Sequence, residues 1–272
     1  DSVPWCYRCG IAISQHEILT EDYQEITHET VYFKLPITSQ KNTFLLVWTT
    51  TPWTIPGNVA VAVNTTEKYV YVEKDGETII LMKKRYELMK SEFELGEITK
   101  EVSAADLIGL EYTAAFDDIP LVKETKTKNP SNFHHVISGV FRGDQLVTAG
   151  EGTGLLHVAP GAGEEDFWLG KEIGLGVINL IDEDANYIDK MGEFSHMSAK
   201  KHPELIIDFL KAKEDGKFLL TTKNYKHRYP VCWRCKTELV WRVVDEWYIK
   251  MSEELREQMR KVVKSITWIP DF

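Results

Sequence analysis

The sequence lacks the features that mark a membrane protein or an exported one. No apolar stretch approaches the roughly 20 residues needed to cross a bilayer, and no basic and apolar leader opens the chain. Hydrophobic residues make up 43% and charged residues 27% of the 272 positions, as in ordinary globular domains. We therefore expect a soluble, cytoplasmic protein without a membrane partner, long enough for one large or two modest domains.

Basic residues are also in short supply. The chain has 32 Lys and Arg residues against 42 Asp and Glu residues, which gives a formal net charge of −10. Proteins that grip a long nucleic-acid backbone usually carry a basic surplus. If nucleic acid is a partner, we expect this chain to hold only a short piece of it.

Cysteine is scarce, but its four occurrences form two similar pairs. Cys6 and Cys9 enclose Tyr-Arg, and Cys232 and Cys235 enclose Trp-Arg. Two Cys-x-x-Cys pairs are typical of a four-thiolate zinc site, and two redox dithiols or two disulfides are the alternatives. The matched flanks and the expected cytosolic setting favour a structural zinc ion. Because one ion would tie the two ends together, the chain has the close ends that an inserted domain needs.

Strand-like segments crowd the first two thirds of the chain, and helix-like segments are fewer. Short strands between turn signals predict a mixed, strand-rich α/β fold with a barrel-like or strongly bent sheet. The expected strands are Thr30–Phe33, Thr43–Trp48, Val59–Val63, Tyr69–Val72, Thr78–Met82, Ile119–Val122, His135–Ile137, Gln145–Thr148, Gly154–Val158 and Gly176–Leu180. The expected helices are Lys84–Lys90, Glu164–Ile173, Pro203–Lys213 and Ser252–Val263. We divide the chain into a zinc-bearing stem, 1–22 plus 222–272, and a strand-rich body, 23–221.

Three hydroxyl side chains follow one of the most apolar strands. The run from Phe44 to Trp48 ends in Thr49, Thr50 and Thr51, and Pro52 prevents the strand from continuing. Hydroxyls at the mouth of a strand, with a tryptophan on either side, predict the wall of a small polar pocket. Threonine also simply suits strands, so the run alone leaves both interpretations open.

A second motif combines a strand, a glycine turn and the start of a helix. Residues 152–158 read GTGLLHV and lead through APGAG into Glu-Glu-Asp-Phe. Glycines let a backbone approach a ligand closely, but no Lys follows and no G-x-G-x-x-G is complete, so a phosphate loop is not indicated. Taken singly, Asp166 fits a carboxylate at a helix N-terminus, and His157 fits a hydrogen-bonded strand histidine.

Together, the two motifs resemble the editing domain of isoleucyl-tRNA synthetases, and the resemblance covers essentially the whole chain. It rests on WTTTPWTIPGN at 48–58, GTGLLHVAP at 152–160 with the following EEDF, HRYPVCWRCKT at 227–237 and DEWYIKM at 245–251. Related valine enzymes typically carry Arg after two threonines and Lys in place of the histidine. Thr51 and His157 therefore favour the isoleucine enzyme.

The resemblance implies a six-stranded barrel-like editing domain on a small zinc-bearing stem, with zinc remote from the chemistry. Such a domain hydrolyses valine from the 3′ end of mischarged tRNA(Ile), with valyl-adenylate as a further candidate substrate. No His-x-Gly-His or Lys-Met-Ser-Lys-Ser signature is present, so the aminoacylation site is expected in the remainder of the synthetase, in cis. We expect the fragment to be a monomer.

The resemblance also assigns roles to individual residues. Asp166 would hold the substrate's α-ammonium group, and the three threonines would orient the ester, the ribose hydroxyls and the attacking water. His157 would border the side-chain pocket and crowd the extra methylene of isoleucine. Further expected substrate-binding residues are Asn58, Trp53 and Tyr229. A non-catalytic, zinc-stabilised tRNA-binding module and a free-standing deacylase are the alternatives.

Overall fold

A computed structural model describes residues 1–18, 23–129, 131–245, 247 and 249–269. The predicted stem boundary at residue 22 lies outside these residues, as do Glu246 and Tyr248 of the segment at 245–251. The strands are β1 Ser2–Cys6, β2 Ile11–Ala12, β3 Tyr23–Pro36, β4 Thr43–Thr49, β5 Ala60–Val63, β6 Lys68–Lys74, β7 Glu77–Met82, β8 Ile98–Ser103, β9 His135–Ser138, β10 Val140–Phe141, β11 Asp144–Gln145, β12 Leu155–Val158, β13 Leu219–Pro230 and β14 Val240–Val243. The α-helices are α1 Lys83–Met89, α2 Pro120–Lys128, α3 Glu164–Ile173, α4 Glu204–Ala212 and α5 Glu253–Ser265.

The body is built on a curled, mixed sheet in the order β8-β6-β7-β4-β12-β5-β9, with β3 also paired to β4 and β13 to β3. Strand β4 is the branch point. Its antiparallel partner β3 occupies one edge, while β7 and β12, both parallel to β4, share the other edge. Because two different strands continue the sheet from one edge of β4, the sheet bends there into a half-barrel.

The apolar side chains of β4 explain why this strand lies at the centre. Leu45 and Val47 enter the main core, and Phe44 and Leu46 enter a second core on the opposite face. Helix α1 covers the second core with buried side chains. A strand that is buried on both faces reads as a continuous apolar run rather than an alternating one.

A separate three-stranded sheet, in the order β14-β1-β2, carries the two ends of the described chain. Around it, Cys6, Ile13, Cys232 and Leu239 form a small buried cluster of their own. Helix α5 follows, and Ser252 caps its first turn because its hydroxyl accepts a hydrogen bond from the Leu255 backbone N–H. In the part of the chain that the structure describes, every helix is too short or too polar to cross a bilayer.

The predicted strand-rich α/β class and barrel-like sheet are confirmed, although the curled sheet contains nine strands rather than six. All four predicted helices are present within about two residues. The predicted strand at Ile119–Val122 is wrong, because these residues open α2 and Pro120 occupies its first turn, where a missing N–H costs nothing. The segment from Gly176 to Leu180 forms no strand, and only Asp144–Gln145 of the region near Gln145–Thr148 is in one.

Candidate active site

The threonine run and the glycine motif meet at one edge of the sheet. Strands β4 and β12 are parallel, with Trp48 opposite Leu156, so the segments that follow them emerge side by side. Between them lies a cavity of about 270 Å³. The cavity is lined by Trp48, Thr49, Thr50, Thr51, Thr54, Glu151, Leu156, His157, Ala159, Ala162, Asp166 and His227. All five of the predicted residues Thr49, Thr50, Thr51, His157 and Asp166 therefore border a single space.

The three threonine hydroxyls have different surroundings. Thr49 Oγ1 accepts a hydrogen bond from the Thr51 backbone N–H at 3.2 Å and lies 3.3 Å from Thr51 Oγ1. These contacts hold Thr49 and Thr51 in one turn at the start of a buried 3-10 helix, Pro52–Gly57. Among the described residues, none is hydrogen-bonded to the hydroxyl of Thr50, which is half-buried at the cavity wall. Thr50 is thus the hydroxyl that is available to a ligand.

Asn58 does not border the cavity but fixes the residue that does. Its Nδ2 group donates to the Ala60 carbonyl at 3.0 Å, and its Oδ1 atom accepts from the Tyr112 hydroxyl at 2.6 Å. These two contacts define which end of the amide is the donor. The 2.8 Å contact between Asn58 Nδ2 and His157 Nδ1 is therefore a hydrogen bond that Nδ1 accepts.

His157 is consequently a neutral imidazole with a defined tautomer. The Thr54 hydroxyl donates to the Thr51 carbonyl at 2.9 Å, so it accepts from His157 Nε2–H at 3.1 Å. Burial lowers the pKa of His157 to about 4, which keeps the ring uncharged at neutral pH. With both ring nitrogens engaged, His157 presents a wall to the cavity and has no free lone pair with which to act as a base.

Asp166 lies in the first turn of α3, where three acidic residues follow Gly163. Its Oδ2 atom accepts a hydrogen bond from the Ala159 backbone N–H at 2.9 Å, so the carboxylate faces back across the loop towards the end of β12. Burial raises the pKa of Asp166 to about 6, although the hydrogen bond from the Ala159 N–H lowers it in part. No cationic group of the described residues offsets this burial. A positively charged ligand beside the carboxylate would lower its pKa back towards the ordinary value.

Two glycines of the second motif are required by close packing. Gly154 has a φ of +78°, and a Cβ atom there would lie 2.2 Å from Met82 Cβ. A Cβ atom on Gly161 would lie 1.8 Å from the backbone oxygen of Ile178. The backbone can therefore pass close to Met82 just before β12, and close to the 176–180 segment in the loop between β12 and α3, only without side chains at these two positions.

Sequence reasoning assigned no role to three polar residues that line the cavity, namely Thr54 of the threonine motif, Glu151 and His227. Glu151 lies on a loop whose carbonyls at 149, 150 and 152 all accept hydrogen bonds from the Arg85 guanidinium, at 2.7–3.2 Å. His227 comes from β13, which reaches the cavity because it pairs with β3 over its whole length. Glu151 directly precedes the glycine motif, whereas His227 lies far from both motifs and reaches the cavity only through the pairing of β13 with β3.

Trp53 and Tyr229 stand outside the lining of this cavity. Trp53 is buried and borders a neighbouring cavity of about 230 Å³, which shares Thr50 and Thr51 with the first. The Tyr229 ring is packed at 5.7 Å from the His227 ring, between centroids, and its hydroxyl donates to the Leu239 carbonyl. Neither residue reaches the cavity directly, and their role in substrate binding stays a prediction.

The four cysteines lie together, as their spacing predicts. All are free thiols, and their Sγ atoms lie within 4.8 Å of one another. Four sulfurs at about 2.3 Å from a tetrahedral zinc ion would be separated by about 3.8 Å, so this cluster could hold a metal ion. The two knuckles have matching turns, because the Gly10 and Lys236 backbone N–H groups each donate to the carbonyl of the first cysteine of their pair at 2.8 Å.

The family model of class I tRNA synthetases (I, L, M and V) matches residues 1–272. The chain belongs to the class I tRNA synthetase family. Its sequence is 35% identical over 274 residues to isoleucine--tRNA ligase of Saccharolobus islandicus, covering 98% of this chain and 24% of that protein. It is 37% identical over 277 residues to isoleucine--tRNA ligase of Archaeoglobus fulgidus, covering 99% of this chain and 25% of that protein.

This class I synthetase chain thus spans about a quarter of the length of the curated relatives it matches. Its fold is similar to the crystal structure of GlLeuRS-CP1, with a TM-score of 0.50 and 15% sequence identity. The match covers 68% of this chain and 95% of the other. At this level of sequence identity the similarity concerns the fold alone.

Proposed function

We propose that this chain is the hydrolytic editing domain of an isoleucyl-tRNA synthetase and that it removes valine from mischarged tRNA(Ile). The observation that carries the proposal is the single cavity in which an unpaired buried carboxylate, Asp166, faces the hydroxyls of Thr49, Thr50 and Thr51 beside a neutral His157. The resemblance of the whole chain to isoleucine--tRNA ligases supports the same reading.

Such a cavity answers a physical problem that the synthesis of Ile-tRNA creates. Valine lacks one methylene of isoleucine, and this pair is the standard example of a difference worth only about 1–3 kcal/mol in a binding pocket. A synthetic site built for isoleucine therefore accepts some valine. A second, smaller site that admits valine and excludes isoleucine hydrolyses the product of this error.

The polar residues Asp166 and Thr50 of the cavity lining position the substrate for this reaction. The Asp166 carboxylate binds the α-ammonium group of the aminoacyl ester in a charge-assisted contact, which places the ester carbonyl near the threonines. The Thr50 hydroxyl, which no described residue occupies, orients the ester or the ribose hydroxyls. Water attacks the carbonyl directly, since the lining contains no cysteine, serine or lysine, and no basic side chain of the described residues is hydrogen-bonded to the hydroxyls of Thr49, Thr50 or Thr51.

His157 sets the size limit of the cavity. Its ring is held from both sides by Asn58 and Thr54 and packs edge-on against Phe33, with centroids 5.8 Å apart. A ring fixed in this way cannot turn aside for a larger ligand. It therefore admits the side chain of valine and excludes the extra methylene of isoleucine.

The remaining features fit an inserted domain. We propose that Cys6, Cys9, Cys232 and Cys235 bind one structural zinc ion, which unites the stem of 1–22 and 222–272 under the body of 23–221. A net charge of −10 is consistent with contact only to the 3′ end of tRNA(Ile), while the rest of the synthetase holds the remainder. The domain itself acts as a monomer in the cytoplasm, and valyl-adenylate is a second substrate.

The test is deacylation of Val-tRNA(Ile) and of Ile-tRNA(Ile) by the purified chain. We expect the chain to hydrolyse the valyl ester, Asp166→Asn to lose at least about 100-fold of that rate, and His157→Ala to begin hydrolysing the isoleucyl ester. Glu172→Gln, an exchange at an exposed carboxylate in the last turn of the same helix α3, serves as the matched control and keeps the wild-type rate. A folded wild-type chain that hydrolyses neither ester would reject the proposal in favour of a non-catalytic tRNA-binding module.

A further inference from the structure

A chain of three hydrogen-bonded titratable side chains connects the neighbouring cavity of about 230 Å³ with the cavity of the candidate site. His28 Nε2 lies 3.1 Å from Glu238 Oε2, and His28 Nδ1 lies 3.0 Å from His227 Nε2. His28 and His227 come from the paired strands β3 and β13, and Glu238 follows the second cysteine pair. Of the three, His227 borders the cavity of the candidate site, and His28 and Glu238 border the neighbouring cavity.

The charges of the neighbours define the direction of these hydrogen bonds. Glu238 also accepts from Lys200 Nζ at 2.5 Å, and both donors are largely buried. Burial alone would raise the pKa of Glu238, but the contacts with His28 and Lys200 outweigh it and bring the pKa to about 2. The ionised Glu238 can only accept, so His28 donates through Nε2.

This direction leaves one lone pair on the cavity side. When the His28 ring carries one proton, on Nε2, its Nδ1 atom accepts, so His227 donates to it through Nε2–H. His227 then carries its lone pair on Nδ1, and none of the described residues is hydrogen-bonded to that atom. The arrangement contrasts with that of His157, whose two nitrogens are both engaged within the protein.

The groups around His227 keep it neutral but able to take a proton. The charged or titratable groups that face it are His28, Glu151, Glu238 and Lys200, and the rings of Tyr225 and Tyr229 pack against it. Partial burial, followed by the nearby His28, lowers the pKa of His227. If His227 accepts a proton at Nδ1, the negative charge of Glu238 on the far side of His28 stabilises the resulting positive charge.

We propose that His227 is the proton acceptor for the attacking water, and that His28 and Glu238 are positioning residues that hold its tautomer. The inference rests on the proposed editing reaction. The water oxygen bonds to the ester carbonyl carbon, and its proton passes to His227 Nδ1. When the bond between the carbonyl carbon and the ribose oxygen breaks, His227 returns the proton to that oxygen, which yields free valine and an uncharged tRNA end.

The kinetic test replaces each member of the chain in the Val-tRNA(Ile) assay. We expect His227→Gln to lower kcat by about 100-fold or more, with KM changed less than threefold, because general-base catalysis contributes about 10²–10⁴. His28→Gln and Glu238→Gln should lower kcat by about tenfold without a change in KM. His202→Gln, at an exposed histidine that also contacts a glutamate, is the matched control and should have no effect.

Two readouts separate this role from a structural one. In His227→Ala, added imidazole should restore part of kcat, whereas Asp166→Asn should gain nothing from it. Nitrogen-15 spectra of the wild-type chain should place the proton of His227 on Nε2 and that of His28 on Nε2, and Glu238→Gln should disturb both assignments.

The outcomes distinguish this inference from the proposed function. An active wild type with an inactive Asp166→Asn, but with kcat of His227→Gln within threefold of wild type, would overturn the role of His227 and leave editing intact. A His227 proton on Nδ1 would overturn the direction of the chain. A wild type that hydrolyses neither ester would reject both proposals together.

Discussion

The raised pKa of Asp166 makes a prediction about stability that is independent of tRNA. The Asp166→Asn substitution removes the buried charge, while the Asn Oδ1 atom can still accept the hydrogen bond from the Ala159 N–H. An ionised carboxylate with a pKa of about 6 opposes folding at neutral pH, since its ordinary value is 3.8. We therefore expect the variant to lose editing and to gain stability.

The magnitude follows from the linkage between pKa and folding. A rise from 3.8 to about 6 corresponds to about 3 kcal/mol at most. Because the side chain is only half-buried at the cavity wall and solvent screens it in part, we expect a gain of about 1–2 kcal/mol in the free energy of unfolding.

The sign of the pH dependence is also defined. Between about pH 4 and pH 6 the native wild type binds more protons at Asp166 than the unfolded chain does, so its stability falls as the pH rises. The asparagine variant lacks this loss. The two proteins should be equally stable near pH 3.5, and the difference should grow through this window and stay constant above about pH 7.

Urea unfolding of wild type and variant at a series of pH values measures this difference directly. Glu172→Gln is the control, because the same change of charge at an exposed position in the last turn of α3 should give no such pH-dependent gain. A variant that is less stable than wild type at pH 8, or a difference that does not change between pH 4 and pH 7, would refute the reasoning.

Three further predictions concern the geometry of the site and the stem. Gly163→Ala should raise the KM for Val-tRNA(Ile) several-fold, because the new Cβ atom would lie 3.0 Å from Asp166 Oδ2; an unchanged KM would show that the carboxylate needs no such clearance. Asn58→Ala should raise hydrolysis of Ile-tRNA(Ile) relative to Val-tRNA(Ile), since His157 loses the donor to its Nδ1 atom, and an unchanged ratio of the two rates would contradict this. Metal analysis of protein purified without chelator should find about one zinc per chain and clearly less in Cys235→Ser, whose thermal midpoint should also fall; four titratable thiols and no zinc in the wild type would reject the metal site.

The sequence predicted the strand-rich class and the helices because these depend on local patterns. The apolar run of β4, the acidic first turn of α3 and the Ser252 cap are each defined within a few neighbouring residues. The errors have local causes as well. The β-branched residues near Ile119 suggested a strand, but Pro120 in the first turn and the packing of Val122 favour a helix.

The threonines, His157 and Asp166 could be predicted because two short motifs carry them, and each motif follows a strand of the same parallel pair. His227 could not be assigned a role in this way. It lies 70 residues beyond His157 on β13, and it reaches the cavity only because β13 pairs with β3, which in turn pairs with β4. The HRYPVCWRCKT segment and Tyr229 pointed to this part of the chain, but nothing in them singled out His227 as a residue of the cavity wall.

The sequence by itself determined which chemical groups are present. They are hydroxyls at the end of an apolar strand and a carboxylate at a helix start in the cavity, and thiols in two Cys-x-x-Cys pairs in the stem. Only the tertiary structure decided their protonation and direction. The neutral state of His157 depends on its burial and its tautomer on the Asn58 amide, the raised pKa of Asp166 depends on burial, and the free nitrogen of His227 depends on His28 and Glu238. Proton positions and pKa values depend on what surrounds a group in three dimensions, and for these residues most of those surroundings come from distant parts of the chain.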